Sequence, residues 1–279
     1  MFVYTIHYDA NLVKKRNIHI FFYTFANETE NMLSKSQIKL IKSLGYKKFR
    51  DREGLFVAEG RKVVGELMTA FECVDIYGLQ STDNGLQAHG QWHSVSADDL
   101  RKISFLKTPQ DVLGVFRIPA DEGAAVLSAD SLSLALDDVQ DPGNMGTIIR
   151  LADWFGIRTV YCSVGCADCW SPKVVQATMG SIARVKVVCT DLVRLVDEAE
   201  SLRCPVFGTF LDGENVYERS LPENGLVVMG NEGNGISDVL RSRITERLLI
   251  PSFNGGAESL NVALATAIIL SEFKRGSKI

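Results

Sequence analysis

The chain has 279 residues, 46% of them apolar and 23% charged, with a formal net charge of −4. That length accommodates two domains of about 100–200 residues each, and the composition is that of a globular protein. A molecule-wide basic field is excluded, so any nucleic-acid contact must rest on a local patch, and no apolar run reaches the roughly 20 residues of a bilayer-spanning helix.

Residues 1–31 mix aromatics with a Lys14-Lys15-Arg16 cluster and lack the order of a secretory signal. They read as an upstream extension with no assigned role, as from a misplaced start codon. The regular pattern begins at Met32. "LSKSQIKLIKSLG" places Ile38, Leu40, Ile41 and Leu44 at helical spacing, with Ser34 or Ser36 as cap and Gly45 as stop. Lys35, Lys39, Lys42, Lys47, Lys48, Arg50 and Arg52 follow its polar face, which is either solvated or a phosphate-contacting patch. Strand "GLFVAEG", helix "RKVVGELMTAF", strand "CVDIYGL", a capped helix in "SVSADDLRKISF" and strand "QDVLGVFRIP" complete a small α/β unit. We assign it to residues 32–119, followed by a linker at 120–130 and a larger unit at 131–279.

The larger unit alternates strictly. Strands "LSLALDD", "RTVYCSV", "RVKVV", "PVFGTF", "GLVVMG" and "RLLI" are separated by helical segments, and the last helix is expected near Ser259. Strands this apolar, alternating with helices, predict a mostly parallel sheet covered on both faces.

Three of its loops carry polar chemistry. In "LDDVQDPGNMGTIIRLADWFG", Asp141-Pro142-Gly143-Asn144 is turn chemistry with Asn144 as a candidate N-cap, and Arg150 stands among apolar neighbours, either reaching solvent or aimed at an anion. In "LVVMGNEGNGIS", a buried strand runs into Gly230-Asn231-Glu232-Gly233-Asn234-Gly235, where Glu232 would point into a crevice at the strand ends. This run is neither the dinucleotide fingerprint nor a Walker loop. In "IPSFNGGAESLNVALATAIILSEF", Asn254, Gly255 and Gly256 allow a tight turn, and Ser259 and Asn261 open a helix that is apolar almost all round. Ser259 is at the least a candidate N-cap. Each loop follows a strand, so all three can meet at one sheet edge. The set has no histidine, nucleophilic cysteine or metal cluster, and so suits positioning rather than acyl transfer or metal hydrolysis.

The six cysteines form no disulfide framework, and reduced thiols are expected. Cys162, Cys166 and Cys169 are closely spaced, but no histidine follows His93 and no second C-x-x-C exists, so no metal site is assigned.

These three segments resemble the three signature motifs of the SpoU (TrmH) family of RNA ribose 2′-O-methyltransferases, within the SPOUT superfamily. Asn144, Gly146 and Arg150 match the first motif. Gly230, Glu232, Gly233 and Gly235 match the second, and Pro251, Glu258, Ser259, Leu260 and Asn261 the third. Residues 56–118 resemble, less strongly, the substrate-binding domain often fused ahead of the catalytic one. The resemblance implies a C-terminal trefoil knot and S-adenosylmethionine as cofactor. It places Gly230, Ile250 and Leu260 against the cofactor, largely through backbone groups, with Thr209 nearby. It implies Asn144, Arg150, Glu232, Ser259 and Asn261 as the catalytic set, with Arg150 at the RNA phosphate and hydroxyl. It further implies ribosomal or transfer RNA as partner, a cytoplasmic homodimer paired through the catalytic domain, and no membrane. Lys173 and Arg184 are expected to add to RNA contact. An RNA- or cofactor-binding protein of the same fold without turnover is the alternative.

Overall fold

The structure, a computed structural model, describes residues 33–79, 90–120, 127–254 and 259–276. The expectations for residues 1–31, Gly255, Gly256 and Glu258 lie outside the described residues.

The chain enters through helix α1 (Lys35–Ser43). Ser34 caps it in a reciprocal box: its hydroxyl accepts from the Gln37 N–H, and its own N–H donates to the Gln37 side chain. A second helix, α2 (Lys47–Glu53), occupies the stretch read only as a basic cluster. Then come β1 (Leu55–Glu59), α3 (Arg61–Leu67), β2 (Cys73–Gly78), β3 (Gln91–Ser94), α4 (Ala97–Ile103) and β4 (Val112–Arg117). The four strands form one sheet in the order β1-β4-β2-β3, antiparallel across β4 and parallel between β2 and β3.

The second sheet holds β5 (Leu132–Leu136), β6 (Thr159–Cys162), β7 (Lys186–Cys189), β8 (Val206–Asn215), β9 (Gly225–Met229) and β10 (Glu246–Leu249), in the order β10-β8-β9-β5-β6-β7. Every neighbouring pair is parallel. The helices are α5 (Pro142–Trp154), α6 (Pro172–Thr178), α7 (Leu192–Ser201), α8 (Asp238–Arg241) and α9 (Val262–Lys274). Strands β5 and β9 are buried at every residue, as expected of central strands with helices on both faces. All strands point the same way, so the loops after β5, β9 and β10 emerge at one edge.

The two sheets are packed together rather than strung apart. One buried apolar cluster runs from Phe56, Leu67 and Phe116 of the first unit to Leu134, Ile148 and Val174 of the second. At the seam, the Trp170 ring lies 4.8 Å from Phe56 and meets Phe71 edge-on at 5.6 Å. Arg50 corrects its own assignment here. It is 2% exposed, donates to the Leu44 carbonyl at 2.7 Å, and pairs with Asp168 of the second unit at 2.5 Å. It belongs to the seam, not to a phosphate patch. Arg184 is likewise committed, to Asp153 at 2.8 Å and to Glu66 of the first unit at 2.5 Å.

Candidate active site at the C-terminal edge of the parallel sheet

The site starts from how α5 begins. Its N-cap is Asp141, whose carboxylate accepts from the Asn144 N–H at 2.8 Å, and Pro142 occupies the first turn, where a missing N–H costs nothing. Asn144 is therefore not the cap, and its side chain is free to reach outward. Its Nδ2 donates to Glu232 Oε1 at 2.8 Å, and its Oδ1 accepts from Asn261 Nδ2 at 2.9 Å. Asn261, not Ser259, caps α9: its Oδ1 accepts from the Ala263 and Leu264 N–H groups at 3.0 and 3.3 Å. The order of the atoms is thus fixed from one end. The helix needs an acceptor at Asn261, which turns that amide's N–H₂ toward Asn144, which in turn presents its own N–H₂ to the carboxylate.

Residues separated by 88 and 117 positions are joined by this chain of side chains. Of the predicted catalytic set, Asn144, Glu232 and Asn261 come together. Ser259 is exposed, two residues before the helix cap, and has no hydrogen-bond partner among the described residues. Arg150 is exposed on α5 and also unpartnered among the described residues. Six residues at about 100° per residue put it about 120° round the helix from Asn144, so within one chain the two point to different sides.

The loop carrying Glu232 is built by Asn231, which the sequence reading passed over. Its backbone pairs with Gly235 at 2.9 and 3.0 Å. Its Oδ1 accepts from the Gly233 and Asn234 N–H groups at 2.8 and 3.0 Å, and its Nδ2 donates to the Asp138 carbonyl at 2.8 Å. Asp137, buried at the end of β5, accepts from the Ser237 N–H at 2.7 Å. An asparagine inside a glycine run was the available signal, since its side chain can satisfy the turn that the glycines permit. Gly230 is required by this loop itself. A Cβ there would lie 2.2 Å from the Gly235 carbonyl carbon and 2.3 Å from the Ile236 nitrogen, so the space a side chain would fill is the loop's own and not a ligand's.

Three of the four predicted cofactor residues stand on, or directly after, three adjacent strands, and Leu260 lies in the loop before α9. Gly230 follows β9 and Ile250 follows β10. Thr209 lies one residue beyond the last β8–β9 partners, Gly208 and Val228. It opens a segment, 209–213, that stands outside the β10 ladder, because Gly208 pairs with Arg247 and Glu214 with Leu248. Leu260 is 48% exposed, while Ile250 packs partly into the core. This edge offers strand-end backbone and apolar surface, with space around any Cβ at Gly235, which sits at φ +70°. That mixture fits a ligand with an adenosine's flat apolar face and polar rim.

An all-parallel, doubly covered sheet whose polar loops converge outside its carboxyl ends defines an α/β protein with a ligand crevice at that edge. The comparisons are specific about which one. Residues 131–271 match the SpoU rRNA Methylase family, and residues 35–114 match the MRM3-like substrate binding domain. The chain is 33% identical over 238 residues to the 23S rRNA (guanosine(2553)-2′-O)-methyltransferase RlmP of Bacillus subtilis (strain 168), covering 84% of this chain and 94% of that protein. A solved putative RNA methyltransferase of the TrmH family from Porphyromonas gingivalis superposes with a TM-score of 0.80 at 42% identity, covering 88% of this chain and all of that one. An AdoMet-bound rRNA methyltransferase from Sinorhizobium meliloti superposes at 0.79 with 28% identity, over 88% of this chain and 96% of that one. The chain belongs to the SpoU rRNA methylase family.

Proposed function

We propose that this protein transfers a methyl group from S-adenosylmethionine to a ribose 2′-hydroxyl of ribosomal RNA. The observation that carries the reading is the hydrogen-bonded chain Glu232–Asn144–Asn261, which fastens three motif loops together at the ligand edge. The cofactor supplies an already activated methyl group. The protein's task is to hold the acceptor hydroxyl in line and to ease loss of its proton. Thr209, Gly230, Ile250 and Leu260 are assigned to cofactor binding. Asn144, Glu232, Ser259 and Asn261 are assigned to fixing the loops around the nucleotide. Arg150, whose planar guanidinium matches phosphate geometry, is assigned to clamping the RNA phosphate.

Residues 32–119 are assigned to RNA binding, and the patch is smaller than the residue count suggested. Lys42 donates to the Ser104 carbonyl, Lys47 pairs with Asp51, Arg52 pairs with Glu53, and Arg50 is buried. Lys35, Lys39 and Lys48 remain, with Lys173 in the second unit; none has a carboxylate partner among the described residues. Replacing Lys35, Lys39 and Lys48 with glutamine should weaken RNA binding and flatten its salt dependence, with turnover restored at saturating RNA. Arg150→Ala should leave cofactor binding intact and depress turnover even at saturating RNA. Methyl transfer against RNA concentration at two ionic strengths reads both. Rescue of Arg150→Ala by excess RNA would remove it from the catalytic set. Cofactor binding with no transfer to any ribosomal RNA would favour the turnover-free alternative.

The same reading includes a cytoplasmic location and a C-terminal trefoil knot. It also includes a homodimer around α5 and α9, supported by Trp154 at 85% and Leu264 at 60% exposure on those helices. A monomeric mass by light scattering at micromolar concentration would sink the dimer. Among the described residues no helix is long and apolar enough to cross a membrane.

A further inference from the structure

Four of the six cysteines gather where β6 and β7 end, on the side of the sheet edge away from β10. Cys162 ends β6 and Cys189 ends β7, and the two are direct register partners. Paired strands lie about 4.8 Å apart, inside the Cα separation of about 4.4–6.8 Å that a disulfide spans. Partners in register point to the same face, so the two sulfurs share a side. The loop after β6 turns back and brings a third thiol: the Cys166 N–H donates to the Ser163 carbonyl at 3.1 Å, and its S–H to the Leu136 carbonyl at 3.2 Å. The Cys162 S–H is directed at the Val188 carbonyl at 3.6 Å, with the Cys166 and Cys189 thiols beside it. Cys169 lies close by and is half-buried. All are free thiols, and among the described residues no group of three or more His, Cys, Asp or Glu is arranged to hold a metal ion.

The two register partners differ in a way that matters for chemistry. Cys189 is exposed and Cys162 is buried. The neighbouring Cys162 thiol, aided by Lys47 and opposed by partial burial and by Asp168, pulls the Cys189 thiol down to about 6. The neighbouring Cys166 and Cys189 thiols, together with burial, push the Cys162 thiol up. An accessible thiolate beside a protonated, sheltered thiol is the arrangement of an attacking and a resolving cysteine.

We propose that Cys189 and Cys162 form a reversible disulfide, with hydrogen peroxide as the oxidant. The Cys189 thiolate attacks one peroxide oxygen and the O–O bond breaks. Cys189 becomes a sulfenic acid, and the departing hydroxide takes up a proton to leave as water. Cys162 then attacks the Cys189 sulfur. The S–S bond forms, the S–O bond breaks, and the sulfenic oxygen leaves as a second water carrying the Cys162 proton. Two thiols lose two electrons, which the peroxide gains.

The full-length chain, reduced and freed of reductant, is exposed to hydrogen peroxide and then alkylated, and its free thiols are counted by intact mass and peptide mapping. Wild type should lose two alkylatable thiols to a Cys162–Cys189 linked peptide, and dithiothreitol should restore both. Cys189→Ser, an exposed and conservative change, should keep all its remaining thiols at the same dose. Cys162→Ser should leave a sulfenic acid at Cys189 that dimedone captures. Cys166→Ser should still form the link. An unchanged thiol count in wild type, or a Cys162–Cys166 link in its place, overturns the proposal. So does loss of the link in Cys166→Ser.

Discussion

Asn261 does two jobs with one side chain: its oxygen caps α9 and its nitrogen holds Asn144. The two can be separated. Aspartate caps helices as well as asparagine does, so Asn261→Asp should leave thermal stability close to wild type. It has no hydrogen to give Asn144, however, and sets one oxygen against another. A linkage of this kind is worth about 1–3 kcal/mol, so methyl transfer should fall by about 5- to 150-fold. A large drop in melting temperature alongside the lost rate would mean that the cap, not the linkage, had been broken. The residue types of the site were legible from sequence because polar groups wedged between buried segments have few reasons to be there. Their division of labour was not. Asp141 and Asn144, or Ser259 and Asn261, can each cap a helix, and only the path of the backbone decides which one does. Asn231 escaped notice because its work is local, tying a turn that its glycine neighbours seemed able to make alone.

Among the elements, α5 and α6 show what the glycine of the first motif is for. A Cβ on Gly146 would lie 2.4 Å from the Ala177 Cβ and 2.9 Å from the Val174 carbonyl oxygen, so the helices touch backbone to side chain at that point. Gly146→Ala should destabilise the protein by about 1–3 kcal/mol through overpacking. Adding Ala177→Gly should recover part of the loss, although the Val174 oxygen still crowds the new methyl group. Chemical denaturation of the single and double variants measures this; an additive pair would refute the contact. Strand and helix order was readable in the larger unit, since buried parallel strands write continuous apolar runs and the helices between them carry caps. Helix α2 was hidden because Lys47, Lys48, Arg50 and Arg52 drew the eye to charge, while its packing signal rests on one buried arginine. The β10-β8-β9-β5-β6-β7 order was out of reach for a different reason: strand neighbours are chosen by crossovers that leave no local pattern.

At the scale of the molecule, the two sheet units behave as one packed body, held by Phe56, Phe71, Trp170 and the Arg50–Asp168 pair. Counting cations along the chain could not foresee that pair, because its members lie 118 residues apart. Asp168→Ala would strand a guanidinium that is 2% exposed, at a cost of about 3–5 kcal/mol. The double change Arg50→Met with Asp168→Leu should recover most of it, since apolar groups of similar bulk can replace a buried ion pair. Calorimetry of the three proteins checks this, and a silent Asp168→Ala would show that the seam is held by its rings alone. The Asn144–Asn261 bond has a consequence in time. Its two ends are made 117 residues apart, and at synthesis rates of about 5–20 residues per second roughly 6–23 s separate their appearance. For that interval the first loop exists without its partner, so a ribosome still making this chain carries an unfinished catalyst.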